Sequence, residues 1–174
     1  MDFIDNVNVT LKDDLALELQ KGSMLSIVAA DFSMYAFEAL RKELSEIEEL
    51  RFIFTDPTFI QKENSKKEKR EFYIPKINRE RRIYGTEFEV KLRNELNQKA
   101  IAKECAEWIK KKVTFKSNVG NKEITTRFIV LDDIAYYTVN SFTTVDLGCE
   151  QGNTMSVRIA KFESPMSQAL IEQF

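Results

Sequence analysis

The feature that most limits what this chain can become is a strand, a helix and a second strand packed into about thirty residues. Met24 to Ala30 is an apolar run of strand length, suited to burial on both faces. Ser33 follows as an N-cap, and the spacing predicts a helix from Met34 to about Ile47. Its apolar positions Phe37, Leu40, Leu44 and Ile47 recur every three or four residues. Leu50 to Thr55 is a second strand, stopped by Asp56-Pro57. A unit of this kind joins two parallel strands through a right-handed crossover, so the chain is expected to build an α/β sheet.

The flanking segments extend that expectation. Val7 to Gln20 reads as a helix, with Asn6 or Asn8 as its cap and Leu11, Leu15, Leu17 and Leu19 as apolar positions. The longest predicted helix runs from Phe88 to Lys112, its stripe formed by Phe88, Leu92, Leu96, Ala100, Cys105, Trp108 and Ile109. It closes on Lys110-Lys111-Lys112, where cations meet the negative pole of the helix dipole, so the triplet has a structural explanation. Val113 to Phe115 is a short strand. Arg127 to Leu131 and Ile134 to Val139 form a hairpin around Asp132-Asp133. Asn140 to Asn153 is polar and reads as loop. Ser164 to Phe174 reads as the start of an amphipathic helix, as in an N-terminal piece of a longer protein.

Composition narrows the chemistry. The 174 residues suffice for one domain, and they include no histidine. With two cysteines, Cys105 and Cys149, soft ligands are too few for a zinc centre; the thiols read as free and buried in a reduced cytoplasm. No apolar run approaches the roughly 20 residues that span a bilayer, and the acidic start, Asp2 and Asp5, is unlike a secretory signal. Charge is segregated. Residues 1–50 carry eleven acids against four bases, whereas residues 62–82 carry nine bases against four acids. Within that stretch Lys66, Lys67, Lys69, Arg70, Arg79, Arg81 and Arg82 are accompanied by Phe72 and Tyr73, with Tyr84 just beyond. Clustered cations draw in polyanions, and a solvated loop face is the bland alternative.

The hairpin region carries a resemblance. Thr125-Thr126-Arg127-Phe128-Ile129-Val130-Leu131-Asp132-Asp133, followed by Ala135-Tyr136-Tyr137 and Asn140-Ser141-Phe142-Thr143, resembles the signature of the phospholipase D superfamily. That signature has a His-x-Lys, four residues and an Asp, then a second strand and a small polar cluster. In this chain Thr125 stands at the histidine position, Arg127 at the lysine position and Asp132 at the aspartate position, with Asn140, Ser141 and Thr143 approximating the cluster. The family uses the histidine as nucleophile on phosphorus, the lysine as phosphate clamp and the aspartate as support. The nucleophile is therefore missing, while the cation and the carboxylate remain. Threonine would need an adjacent base to replace it, and no histidine exists to serve.

The match extends along the chain. Lys21 to Ala30, the following helix and Leu50 to Phe54 resemble the first βαβ unit of the same fold. More narrowly, Phe52 to Phe59, Tyr84 to Glu89, Val113 to Asn118 and Phe142 to Gly148 resemble the N-terminal domain of bacterial Swi/Snf-type superfamily-two helicases. The resemblance implies a phospholipase D-like mixed sheet with helices on both faces, residues 1–174 as one domain, and no cofactor within it. It also implies attached C-terminal helicase domains. No glycine here is followed by lysine, so the nucleotide-binding loop of such an engine would lie elsewhere.

Three functions follow as expectations. The first is a catalytically degenerate domain that binds DNA or RNA through residues 62–82 and Arg127, or regulates an attached ATPase. The second is a dimerisation or interaction module. The third is a nuclease completed by a metal or by residues outside this chain. For the last, Asp56 with Glu89-Val90-Lys91 matches a carboxylate followed by Glu-x-Lys, a pattern that chance produces readily in so charged a chain. Asp132-Asp133 as a metal pair is equally explained as turn residues.

Overall fold

A computed structural model describes residues 2–55, 60–61, 72–73, 95–117, 124–150 and 158–174. Nine strands are described: β1 (Asp2–Ile4), β2 (Met24–Ala29), β3 (Glu49–Phe54), β4 (Ile60–Gln61), β5 (Phe72–Tyr73), β6 (Val113–Ser117), β7 (Phe128–Leu131), β8 (Ile134–Tyr137) and β9 (Ile159–Phe162). Five helices accompany them: α1 (Leu11–Glu18), α2 (Met34–Ala39), α3 (Arg41–Glu46), α4 (Glu95–Lys112) and α5 (Met166–Ile171). Seven strands form one mixed sheet in the order β1-β9-β8-β7-β2-β3-β6, and β4 pairs with β5 separately.

The predicted βαβ unit is present. β2 and β3 are parallel, with Met24 opposite Glu49 and Ala29 opposite Phe54. β6 adds in parallel to β3, with Phe52 opposite Phe115. On the other side of β2 the pairing turns antiparallel, first to β7, then through β8 and β9 to β1. Five of the six β2 residues are buried, as expected of a central strand covered on both faces.

Alternation along the strands builds two cores. Leu25, Ile27, Ala29, Leu50, Phe52, Phe54, Ile129 and Leu131 face the larger one, under α1, α2, α3 and α4. Val28, Phe128, Val130 and Ala135 face the smaller one, which α5 covers with Leu170 and Ile171. Helices therefore lie on both faces of the sheet. Phe32 is at the centre of the larger core, in edge contact with Phe52 and Phe115 and stacked on Phe142 and Trp108. Trp108 is a core residue as read from the sequence, and its indole Nε1–H donates to the Leu44 carbonyl at 2.8 Å.

Several expectations need correction. The first helix begins at Leu11, and its cap is Thr10, whose hydroxyl accepts the Asp13 N–H at 3.1 Å. Asn6 instead accepts the Leu11 N–H and donates to the Asp146 carbonyl, both at 2.8 Å, while Asn8 bonds to Asp5. The helix expected from Met34 to Ile47 is two helices meeting at Leu40, which is at once the C-cap of α2 and the N-cap of α3. That break lets Phe37, Leu40, Leu44 and Ile47 all reach the core. Lys112, read as a dipole cation, also donates its Nζ to the Ile47 carbonyl at 2.5 Å. β1 and β9 were not anticipated; each is too short for a period to register. Residues 140–150 form no helix or named strand, as expected of a loop, yet Phe142 and Leu147 are buried within it; residues 151–153 lie outside the described residues. Cys105 is buried as expected, whereas Cys149 is exposed. Residues 88–94 of the expected long helix lie outside the described residues.

Removing the ring that the aromatic cluster surrounds is the direct test of this packing. Phe32→Ala is expected to destabilise the fold by roughly 3–5 kcal/mol, against less than about 0.5 kcal/mol for exposed Leu17→Ala. Denaturant midpoints measure both.

Candidate functional site

The sheet topology determines which ends of which strands share an edge. The carboxyl ends of β2, β3, β6 and β8 lie together with the amino ends of β7 and β9. In open α/β sheets, ligands bind outside the carboxyl ends of parallel strands, near the point where the topology switches. Here the switch falls at β2, between parallel β3 and antiparallel β7.

Arg127 stands at this edge. Continuing the β2–β7 register by one step places it opposite Ala29, and its carbonyl accepts the Thr138 N–H at 3.2 Å. Its guanidinium Nε is buried and has no hydrogen-bond partner. No carboxylate among the described residues lies within ion-pair distance of it. The residue as a whole is only partly buried, so one donor lacks an acceptor within the fold while the rest of the guanidinium is not enclosed. A guanidinium is a planar fork whose paired donors match two oxygens of a carboxylate or a phosphate.

The polar cluster after β8 reaches the same edge. Ala30 N–H donates to the Asn140 carbonyl at 3.0 Å, Phe142 N–H to the Asp31 carbonyl at 2.8 Å, and Ser33 N–H to the Phe142 carbonyl at 2.9 Å. These bonds splice the 140–142 segment onto the end of β2. The Ser141 hydroxyl donates to the Asp31 carboxylate at 3.2 Å. Asn140 is exposed and Ser141 is buried. Thr143 is buried too, its hydroxyl donating to the Asp146 carboxylate at 2.7 Å. Thr125 is exposed, on the chain leading into β7.

Asp132 is not part of this constellation. It lies at the opposite end of β7, about 16 Å from Arg127 at strand rise. There its backbone N–H donates to the Met24 carbonyl at 3.1 Å while its carboxylate accepts the Met24 N–H at 2.9 Å. Its φ of 48° is the left-handed conformation of a tight turn, which aspartate tolerates. Its support is thus mechanical, through the β2–β7 alignment. No family model matches the chain, and no curated protein does.

The basic residues Lys66, Lys67, Lys69, Arg70, Arg79, Arg81 and Arg82, and the Asp56, Glu89 and Lys91 alternative, lie outside the described residues. Two residues at the edge escaped sequence reading. Arg158, exposed just before β9, offers a second cation, and its carbonyl accepts the Thr138 hydroxyl at 2.9 Å. Asp31 was visible only as an interruption of an apolar run; an acid directly after a buried strand was the available signal.

A second ionisable cluster ties β8 and β9 to α1. Lys161 Nζ is 2.8 Å from both Asp14 and Glu18 carboxylates, and the Tyr136 hydroxyl donates to Asp14 at 2.7 Å. Burial first, and then the Asp14 hydrogen bond, raise the Tyr136 phenol above the ordinary tyrosine range. At Lys161 burial pulls downward, but the bonds and charges of Asp14 and Glu18 outweigh it and the ammonium is raised. Burial, aided by Glu104, pushes the Cys105 thiol up to about 12.

All three groups are held protonated by the fold. Each therefore contributes stability that is complete below its unfolded pKa and is lost as pH rises through the folded value. The losses begin near 9.0 for Cys105, 10.0 for Tyr136 and 10.5 for Lys161. A thermal midpoint that falls steadily above about pH 9 is expected, with Cys105→Ala delaying the onset to about pH 10. A midpoint that climbs over that range contradicts the assignment.

Proposed function

We propose that this chain is a phospholipase D-like domain that has lost its nucleophile and binds nucleic acid through its phosphates. The single observation that carries the reading is Arg127, whose Nε is buried without an acceptor at the edge where the parallel strands end. Arg158 adds exposed positive charge at the same edge, two strands away in the sheet. The basic segment 62–82 follows in sequence from Thr55, at this same edge, and supplies the long-range attraction that brings a polyanion in. Thr125 takes the nucleophile's place and the chain has no histidine to activate it, so in this reading the edge holds a phosphate and does not attack it. In the resembled helicases such a domain precedes an ATPase, and delivering nucleic acid to that engine is the role this reading assigns.

Affinity for a labelled DNA duplex is expected to fall steeply with salt, by roughly 0.9 log unit per log unit of salt for each phosphate neutralised. Arg127→Ala is expected to weaken binding several-fold and reduce that slope by about 1. Fluorescence anisotropy at several salt concentrations measures both, and salt-independent or absent binding overturns the reading.

A further inference from the structure

The edge that presents Arg127 also presents a carboxylate, which a site built only for phosphate would avoid. Asp31 follows β2 directly, two residues beyond Ala29, the residue opposite Arg127. The chain bends at Ala30, so the Asp31 backbone lies within about 7 Å of Ala29, on the scale of one nucleotide unit. The carboxylate is partly exposed and is held by the buried Ser141 hydroxyl at 3.2 Å. The backbone on both sides of it is fixed, by Ala30 N–H on Asn140 and by Phe142 N–H on the Asp31 carbonyl. A carboxylate has about four acceptor sites, and the Ser141 bond occupies one. It can therefore accept hydroxyl donors from a ligand, whereas it repels a second phosphate.

A ligand that satisfies both groups carries an anion for Arg127 and a hydroxyl donor about one sugar away. A ribose phosphate does so and a deoxyribose phosphate lacks the hydroxyl at the 2′ position, the group by which proteins tell RNA from DNA. An acid at a strand's carboxyl end that reads a ribose hydroxyl while phosphate is held nearby is a recurrent solution in α/β sheets. We propose that Asp31, positioned by Ser141, accepts a ribose hydroxyl and makes this edge prefer RNA to DNA. The inference rests on the nucleic-acid reading above and specifies the ligand of that same edge.

The test compares labelled single-stranded RNA and DNA of identical base order, by anisotropy at one salt concentration. The native chain is expected to bind RNA about tenfold tighter, the scale of one hydrogen bond to a charged acceptor. Asp31→Ala is expected to bring the RNA-to-DNA ratio to about one. Ser141→Ala, which leaves the carboxylate but removes its tether, is expected to reduce the ratio partially. Circular dichroism of each variant verifies that the sheet is intact. Equal binding of RNA and DNA by the native chain overturns this inference and leaves the nucleic-acid reading standing. So does an RNA preference that survives in folded Asp31→Ala. Binding of neither strand, together with no binding of a DNA duplex, overturns the underlying reading itself.

Discussion

Everything about this molecule depends on β2 having a parallel neighbour on one side and an antiparallel neighbour on the other. The parallel register with β3 is imposed by a short helical crossover, and the antiparallel register with β7 by backbone ladders from Leu25 to Val28. Because the two pairings have opposite polarity, loops from distant parts of the sequence emerge at one edge. Residues 30–33, 124–127 and 138–142 meet there although nothing in the chain's local order relates them. A central strand buried on both faces can hold that position only if it is almost wholly apolar, which is why the edge begins abruptly at Asp31.

Helix α4 keeps the crossover in place. The last carbonyls of α3 lack intrahelical partners, and two of its terminal groups are met from α4, by the Trp108 indole at Leu44 and the Lys112 ammonium at Ile47. The rings of Phe32, Phe37 and Trp108 fill the space between, so hydrogen bonding and packing act on the same contact. Arg41 and Glu104 add an exposed pair at 3.0 Å, which contributes little by comparison. On the same face of the sheet, α1 is held by the Lys161 and Tyr136 network, with its Asp14 and Glu18 carboxylates paired rather than merely solvated.

The parts legible in the sequence were those with a strong period or a specific local signal. Ser33 as a cap, Met24 to Ala29 as a buried strand and the tight turn at Asp132 all have causes within a few residues. The parts that escaped have causes far away. β1 exists because β9 offers it a ladder, 155 or more residues distant in sequence, and three residues carry no pattern of their own. Leu40 looks like the interior of one helix until the core geometry demands two axes. At the edge, Arg127 was readable from a motif, whereas Asp31 and Arg158 gain meaning only when the register sets them nearby.

The Asp132 clip has an evolutionary corollary. A side chain that aligns two strands is selected for folding in every descendant of a fold, whether or not the descendant retains chemistry. Here the carboxylate secures Met24, 108 residues away, and Thr125 secures nothing comparable among the described residues. Replacing that carboxylate would therefore loosen the alignment of two strands as well as one turn, whereas replacing Thr125 would disturb neither.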